Sequence, residues 1–308
     1  MDTSANSNLT VRLLKTTGQG QFEETNYTLP PLEEDEIRVR AVLTGVCRSD
    51  IDMMQGTFGP LPDHMQGHEG LGQVVAVGKG VSNAKVGDYV ATRGEPAYAD
   101  YYNVRETEYV VVPKAEPKYI LEPVACGINV VEQPMQELYE REGEEARLLI
   151  NGSGFLAWVA YHTILSEGLM YNIDVLGSSN KELWGDKLIS NVDKTYDVII
   201  DLGGKLDYFD GQALNNNALI VLASPRMVQT DFSALLWKAC TVIMPSPRNE
   251  NFYDCMISAK YLIEKRKLKV DEFWTRGYDR DTEWRQAFED GATRPPNYSR
   301  GYIRWNNG

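Results

Sequence analysis
In the first third of the chain, apolar residues recur at every second position over short runs. Leu9–Leu14 and Ile37–Leu43 both show this period, the latter as IRVRAVL, and both are expected to be strands. LPPLEEDE between them reads as a turn carrying a solvated acidic run. Further strands are expected at Gln73–Val77, closed by GKG, and within VGDYVAT and EYVVVP. Short alternating segments rich in glycine predict a compact, barrel-like β domain.

The pattern then changes. Pro123–Leu138 has helical spacing, and Arg147–Ile150 is a short apolar strand. It leads into NGSGFLAWVAYHTILSEG, a glycine turn that opens an amphipathic helix. Strands are expected at Ile173–Leu176, Asp197–Asp201, Ala218–Ala223 and Val242–Met244, and helices at Phe232–Ala239 and Phe252–Lys265. Such alternation predicts βαβ units and a parallel sheet. TEWRQAFEDG and YSRGYIRW read as a helix and a last strand returning to the first domain. The fold class is α/β, with residues 1–124 and 268–308 in the β domain and 125–267 in the parallel-sheet domain.

Charge and cysteine usage narrow the partners. A net charge of −13 gains nothing from polyphosphate backbones, so neither nucleic acid nor an anionic membrane is an expected partner. No apolar run reaches the roughly 18 residues of a spanning helix. MDTSANSNLTVRLL lacks the basic start and apolar core of a signal peptide. Cys47, Cys126, Cys240 and Cys255 are too scattered for a disulfide framework. A soluble, cytoplasmic protein is expected.

The stretch from Gly45 to Gly78 concentrates the chemistry. It carries a thiol, Cys47, an imidazole, His68, and a carboxylate, Glu69, with glycines on either side. This borderline-soft donor set suits zinc, and three protein ligands with a fourth position open is the catalytic arrangement. A cation, a hydroxyl and a carboxylate, Arg48, Ser49 and Asp50, follow the cysteine at once. Downstream, Gly152, Gly154 and Ala157 form G-x-G-x-x-A between an expected strand and helix. Glycines there make the turn and let the backbone approach a pyrophosphate at the helix N-terminus. The next strand ends in Gly177-Ser178-Ser179-Asn180-Lys181, with no carboxylate at its tip. Two hydroxyls and a lysine are donors that suit a 2′-phosphate, so NADP(H) is expected in preference to NAD(H).

GVCRSD and GHEGLGQVVAVG resemble the first-ligand segment and the zinc signature of the medium-chain alcohol dehydrogenase superfamily. The likeness runs over nearly the whole chain. It implies a GroES-like β-barrel catalytic domain followed by a Rossmann doubly wound parallel sheet. It also implies hydride transfer between NADP(H) and an alcohol, aldehyde or ketone, in a homodimer or homotetramer. Cys47 and His68 become zinc ligands, with a carboxylate from Glu69 or from Glu122 of ILEPVACG; Cys126 is the rival third ligand, read as a packed core cysteine. Ser49 would hold the substrate oxygen and Arg48 the pyrophosphate. Asp50 would orient, paired with Arg300, which is also a cofactor-site candidate. Tyr98, Tyr101, Trp158 and Met54 are candidates to line the substrate cleft.

The chain departs from that family in three ways. Asp52 stands where many members carry a proton-relaying histidine. ATRGEPAYADYYNVRETE lacks the cysteines of a structural zinc lobe, so one zinc is expected. The chain is also short, as though a βα element were missing between Lys181 and Asp197.

Overall fold
The structure is a computed structural model that describes residues 8–17, 19–56, 62–204, 211–224 and 232–305. The chain divides into two compact units. One holds Met1–Pro123, Ala259–Glu264 and Lys269–Gly308; the other holds Val124–Ser258 and Lys265–Leu268.

The first unit begins with an antiparallel hairpin of β1 (Leu9–Thr16) and β2 (Phe22–Leu29). Then come β3 (Glu36–Gly45), helix α1 (Arg48–Met54), β4 (Gly70–Val77), β5 (Tyr89–Thr92), β6 (Tyr101–Arg105) and β7 (Tyr109–Val112). Helices α2 (Glu122–Glu132) and α3 (Met135–Tyr139) follow, separated at Gln133-Pro134 where one helix was expected. Proline removes an amide donor and clashes with the preceding turn, so the helix stops there.

The alternating part runs β8 (Arg147–Asn151), α4 (Phe155–Ser166), β9 (Asn172–Leu176), α5 (Lys181–Trp184), β10 (Leu188–Ile189), β11 (Tyr196–Asp201) and β12 (Leu214–Leu222). It continues with α6 (Ser233–Trp237), β13 (Thr241–Ile243) and α7 (Phe252–Glu264). Finally β14 (Trp274–Asp279), α8 (Trp284–Thr293) and β15 (Arg300–Arg304) belong to the first unit.

β15 pairs antiparallel with β3, as a returning last strand should. The seven-stranded sheet has the order β14-β15-β3-β4-β5-β7, with β6 also on β3. Its core gathers the inward positions of β1, β3 and β4 with Tyr98, Tyr102, Trp284 and Phe288. The second unit has a six-stranded parallel sheet in the order β10-β9-β8-β11-β12-β13. Numbered from β8, this is the doubly wound order 3-2-1-4-5-6. Leu148, Ile150, Val175, Val198 and Leu219 fill one face against Ala157, Ala160 and Ile164 of α4.

The element expected to be missing is shortened instead. The third strand survives as two residues, the helix before it as four, and the return to β11 holds no helix. The length saving therefore falls in the connections, and the sheet order is intact.

Candidate functional site
Cys47 lies between β3 and α1, and α1 explains why the thiol is held. Asp50, in the helix's first turn, reaches back to accept the N–H of Cys47 at 2.9 Å, one half of a capping box. Ile51 packs into the core and approaches Gly291 of α8, which pins the helix from behind. His68 and Glu69 immediately precede β4, whose pairing with β3 brings them to the same end of the sheet as Cys47.

The ligand atoms of Cys47, His68 and Glu69 all lie within 4.8 Å of one another, with Glu69 fully buried and the other two half-buried. Among the described residues this is the group assembled for a metal ion, and neither Glu122 nor Cys126 is in it. Glu122, at the start of α2, is buried, and its charge acts on His68 and Arg300. Cys126 is half-buried, not the packed core cysteine that was expected, and belongs to the second unit.

The surroundings of the histidine fit a ligand. Asp50 Oδ1 lies 3.7 Å from His68 Nδ1, and Ser49 Oγ lies 3.5 Å from Nε2. That places a carboxylate behind Nδ1 and leaves Nε2 beside the Ser49 hydroxyl, an arrangement like the one that orients metal-bound histidines. Asp50 is buried, and its Oδ1 has no hydrogen-bond partner. The nearest donor that could serve this orphaned atom is Nδ1–H of His68. Burial, and then the charge of Glu69, push the Cys47 thiol above its ordinary value, against the pull of His68. Burial lowers the His68 value, but Asp50, Cys47 and Glu122 outweigh it and hold the imidazole well above the usual range. Both groups would shed protons on ligating a metal, so the affinity of such a site would rise with pH.

Arg300 is not beside Asp50. Its Nη2 lies 2.5 Å from Glu69, and the guanidinium stacks over Trp274 at 4.9 Å. Sequence reasoning paired it with the wrong carboxylate: Asp50 is held by Tyr98 and Cys47, while Glu69 sits against β15. Arg48, read as a pyrophosphate contact, pairs one helical turn on with Asp52 at 2.9 Å. Tyr98, read as cleft lining, is fully buried and donates to Asp50 at 2.6 Å. Its YAD context carried no signal for that role.

In the second unit the glycine turn follows β8 and opens α4. Gly152 takes φ +123°, a conformation that side chains oppose, and Ala157 is buried against the sheet. Ser153 ties this turn to the segment after β9. Its Oγ meets Ser179 Oγ at 2.8 Å, and its carbonyl accepts from Asn180 Nδ2 at 2.8 Å and Trp184 Nε1 at 3.0 Å. Ser178, Ser179 and Lys181 are exposed, but the Ser179 hydroxyl is already engaged. Asp174 is mid-strand in β9 and holds Tyr196 and Lys194.

Residues 33–117 match the alcohol dehydrogenase GroES-like domain. The chain is similar to the D-arabitol-phosphate dehydrogenase of Enterococcus avium, 24% identical over 88% of this chain and 91% of that protein. A shorter stretch is 43% identical to an alcohol dehydrogenase of Schizosaccharomyces pombe, covering 24% of this chain and 21% of that one. A solved Escherichia coli short chain alcohol dehydrogenase in complex with NADH shares the fold, with a TM-score of 0.77 at 17% identity over 96% of this chain and 99% of that one.

Proposed function
We propose that the chain, whose residues 33–117 match the alcohol dehydrogenase GroES-like domain, is a medium-chain, zinc-dependent oxidoreductase moving a hydride between NADP(H) and an alcohol, aldehyde or ketone. The observation that carries this reading is the convergence of Cys47, His68 and Glu69 within 4.8 Å. One zinc ion there, with no structural second ion, would supply Lewis-acid polarisation of the substrate oxygen, and the nicotinamide would supply or accept the hydride.

The chain's own residues do the rest. Cys47 and His68 ligate, with Glu69 or Glu122 as the carboxylate; Glu69 is the one that converges with them within 4.8 Å, and it is also paired with Arg300. Ser49 holds the substrate hydroxyl and moves its proton. Asp52, bridged to Arg48, passes the proton toward solvent, and Arg48 is the exposed cation available to the pyrophosphate. Gly152, Gly154 and Ala157 admit the pyrophosphate to the N-terminus of α4. Ser178 and Lys181 are the donors offered to a 2′-phosphate.

One observation favours a second reading, an NAD(H)-linked polyol-type dehydrogenase: the hydroxyl of Ser179 is spent on Ser153. Titration of intrinsic fluorescence with NADPH and NADH separates the two. Metal analysis with an aldehyde, ketone and alcohol panel tests both. One zinc per chain and NADPH-dependent reduction are expected. No zinc and no turnover with either cofactor would leave a non-catalytic nucleotide binder.

A homodimer or homotetramer is supported by β13, an edge strand of its sheet, and by exposed Trp237 and Met244 nearby in sequence. Light scattering checks it, and a monomer would refute it. No helix among the described residues is long and apolar enough to cross a membrane. A cytoplasmic location is supported by four cysteines that are all free thiols.

A further inference from the structure
We propose that Tyr98 is the positioning residue that fixes His68 for metal binding, acting through Asp50. The inference rests on the reading of Cys47 and His68 as metal ligands. The Tyr98 ring is immobile. It stands edge-on to Phe22 at 5.9 Å and to Phe288 at 5.4 Å, and those two rings stack on each other at 3.7 Å. With the ring locked, its hydroxyl meets Asp50 Oδ2 at 2.6 Å and the carbonyl of Gly45 at 3.1 Å. A phenol has one proton to donate, and the nearer acceptor, Asp50 Oδ2, takes it.

Asp50 Oδ2 is thereby held by two donors, the Tyr98 hydroxyl and the N–H of Cys47. Two donors on one oxygen restrain rotation of the Asp50 carboxylate. Oδ1 is left facing Nδ1 of His68 at 3.7 Å. That selects the tautomer with the proton on Nδ1 and the lone pair on Nε2, the nitrogen beside Ser49.

The segment that carries Tyr98 also supports the His68 backbone. Ala97 N–H donates to the Gly67 carbonyl and Tyr98 N–H to the Gln66 carbonyl, both at 3.1 Å. Gly67 adopts φ +76°, and a Cβ there would lie 2.6 Å from Cγ of Tyr98. The ring therefore lies against the peptide just before His68, and its hydroxyl reaches the carboxylate behind the same imidazole. Thr44 Oγ1 donates to the Ala97 carbonyl at 2.9 Å and anchors the segment on β3. Neither contact involves a reacting atom, which makes the role one of positioning.

The test reads metal affinity, not turnover. Tyr98→Phe keeps the ring and removes only the hydroxyl. Zinc dissociation constants of the full chain are measured by competition with a chromophoric chelator, alongside the visible spectrum of the cobalt-substituted protein. Tyr102→Phe is the control, since it also removes a buried hydroxyl of this unit, one bonded to Thr92 at 3.0 Å. Tyr98→Phe is expected to weaken zinc binding by about 10- to 100-fold and to alter the cobalt spectrum. Tyr102→Phe should stay within about twofold, and Tyr98→Phe should add less than about twofold in an Asp50→Asn background.

Parental zinc affinity in Tyr98→Phe, or an undiminished loss in the Asp50→Asn background, overturns the proposal. A second readout needs no variant: with three histidines in the chain, ring-nitrogen spectra resolve the tautomer of His68 in the zinc-loaded parent. Protonation at Nε2 overturns the proposal there. A parent that binds no zinc overturns the metal reading and this inference together. A zinc-binding parent with an unaffected Tyr98→Phe overturns this inference alone.

Discussion
Arg300 and Glu69 stand 231 residues apart in sequence and form a buried ion pair, with Nη2 2.5 Å from each carboxylate oxygen. Their side chains keep 12% and 0% of their exposure. β15 is thus electrostatically closed onto the segment that carries His68 and Glu69. Removing one partner of such a pair leaves the other charge buried and alone, at a cost of about 3–5 kcal/mol. Arg300→Met is predicted to lose stability of that order, and so is Glu69→Met. The double variant should lose clearly less than the sum, because no charge is then stranded. Denaturant midpoints with a chelator present check this, and additive losses would show that the two groups do not depend on each other.

Asp290 of α8 is predicted to make the first unit acid-sensitive. Burial raises its pKa, but hydrogen bonds from Tyr278 and Gln286 and the charge of Arg276 outweigh burial, so the net value lies below the usual range. A carboxyl whose folded value is depressed binds fewer protons folded than unfolded. Its stabilisation is complete above the unfolded value, about 3.9, and fades as pH falls through the folded one. Asp290→Asn should therefore be less stable than the parent at neutral pH and should lose less stability on acidification. Parallel curves for parent and variant below pH 4 would contradict the assignment.

Most of the fold could be read from the chain because burial imposes a period on it. β3, β4 and β8 pack one or both faces into a core, and their apolar spacing says so. β2 was missed for the same reason: FEETNYTL buries only its two end residues, so no alternation marks it as a strand. α1 was also missed, because seven residues are too few to show a helical period, and the capping role of Asp50 depends on a contact, not on a pattern. The grouping of Cys47, His68 and Glu69 could be found from residue type and spacing. Which carboxylate meets Arg300 could not, since Asp50 and Glu69 are both acids close in sequence to Cys47 or His68 and the pairing of β15 with β3 is a long-range contact. Tyr98 was visible as an aromatic, while its role needed the position of a single oxygen.

Thiol chemistry should separate the cysteines. Cys255 is buried, with Glu132 Oε2 at 3.6 Å and Asn129 Oδ1 at 3.9 Å from its sulfur. Burial first, and then the charge and hydrogen bond of Glu132, push its thiol up to about 12. The thiolate is the nucleophile, so at pH 8 only about one molecule in ten thousand is reactive there. Iodoacetamide at that pH should modify half-buried Cys126 in the native protein and spare Cys255 until denaturant is added. Peptide mass spectrometry follows both, and equal native rates would contradict the environment described.

Gly154 offers the sharpest test of the nucleotide site, because the fold gives no reason for a glycine there. It caps α4 with φ −93° and ψ −162°, extended backbone open to any residue. A Cβ added to it would meet nothing within 4 Å. Gly154→Ala should therefore fold normally and be unchanged or up to about 1 kcal/mol more stable, since alanine has less unfolded-state entropy to lose. Gly152→Ala should lose stability, because φ +123° strains any side chain. If a pyrophosphate approaches the N-terminus of α4, the new methyl of Gly154→Ala stands in its path. Affinity for NADP(H) should then fall by about tenfold or more, roughly 1.4 kcal/mol. Thermal melts and cofactor fluorescence titrations on the two variants separate the roles. A Gly154→Ala protein that melts like the parent and binds cofactor like the parent would mean that the phosphates do not lie against this turn.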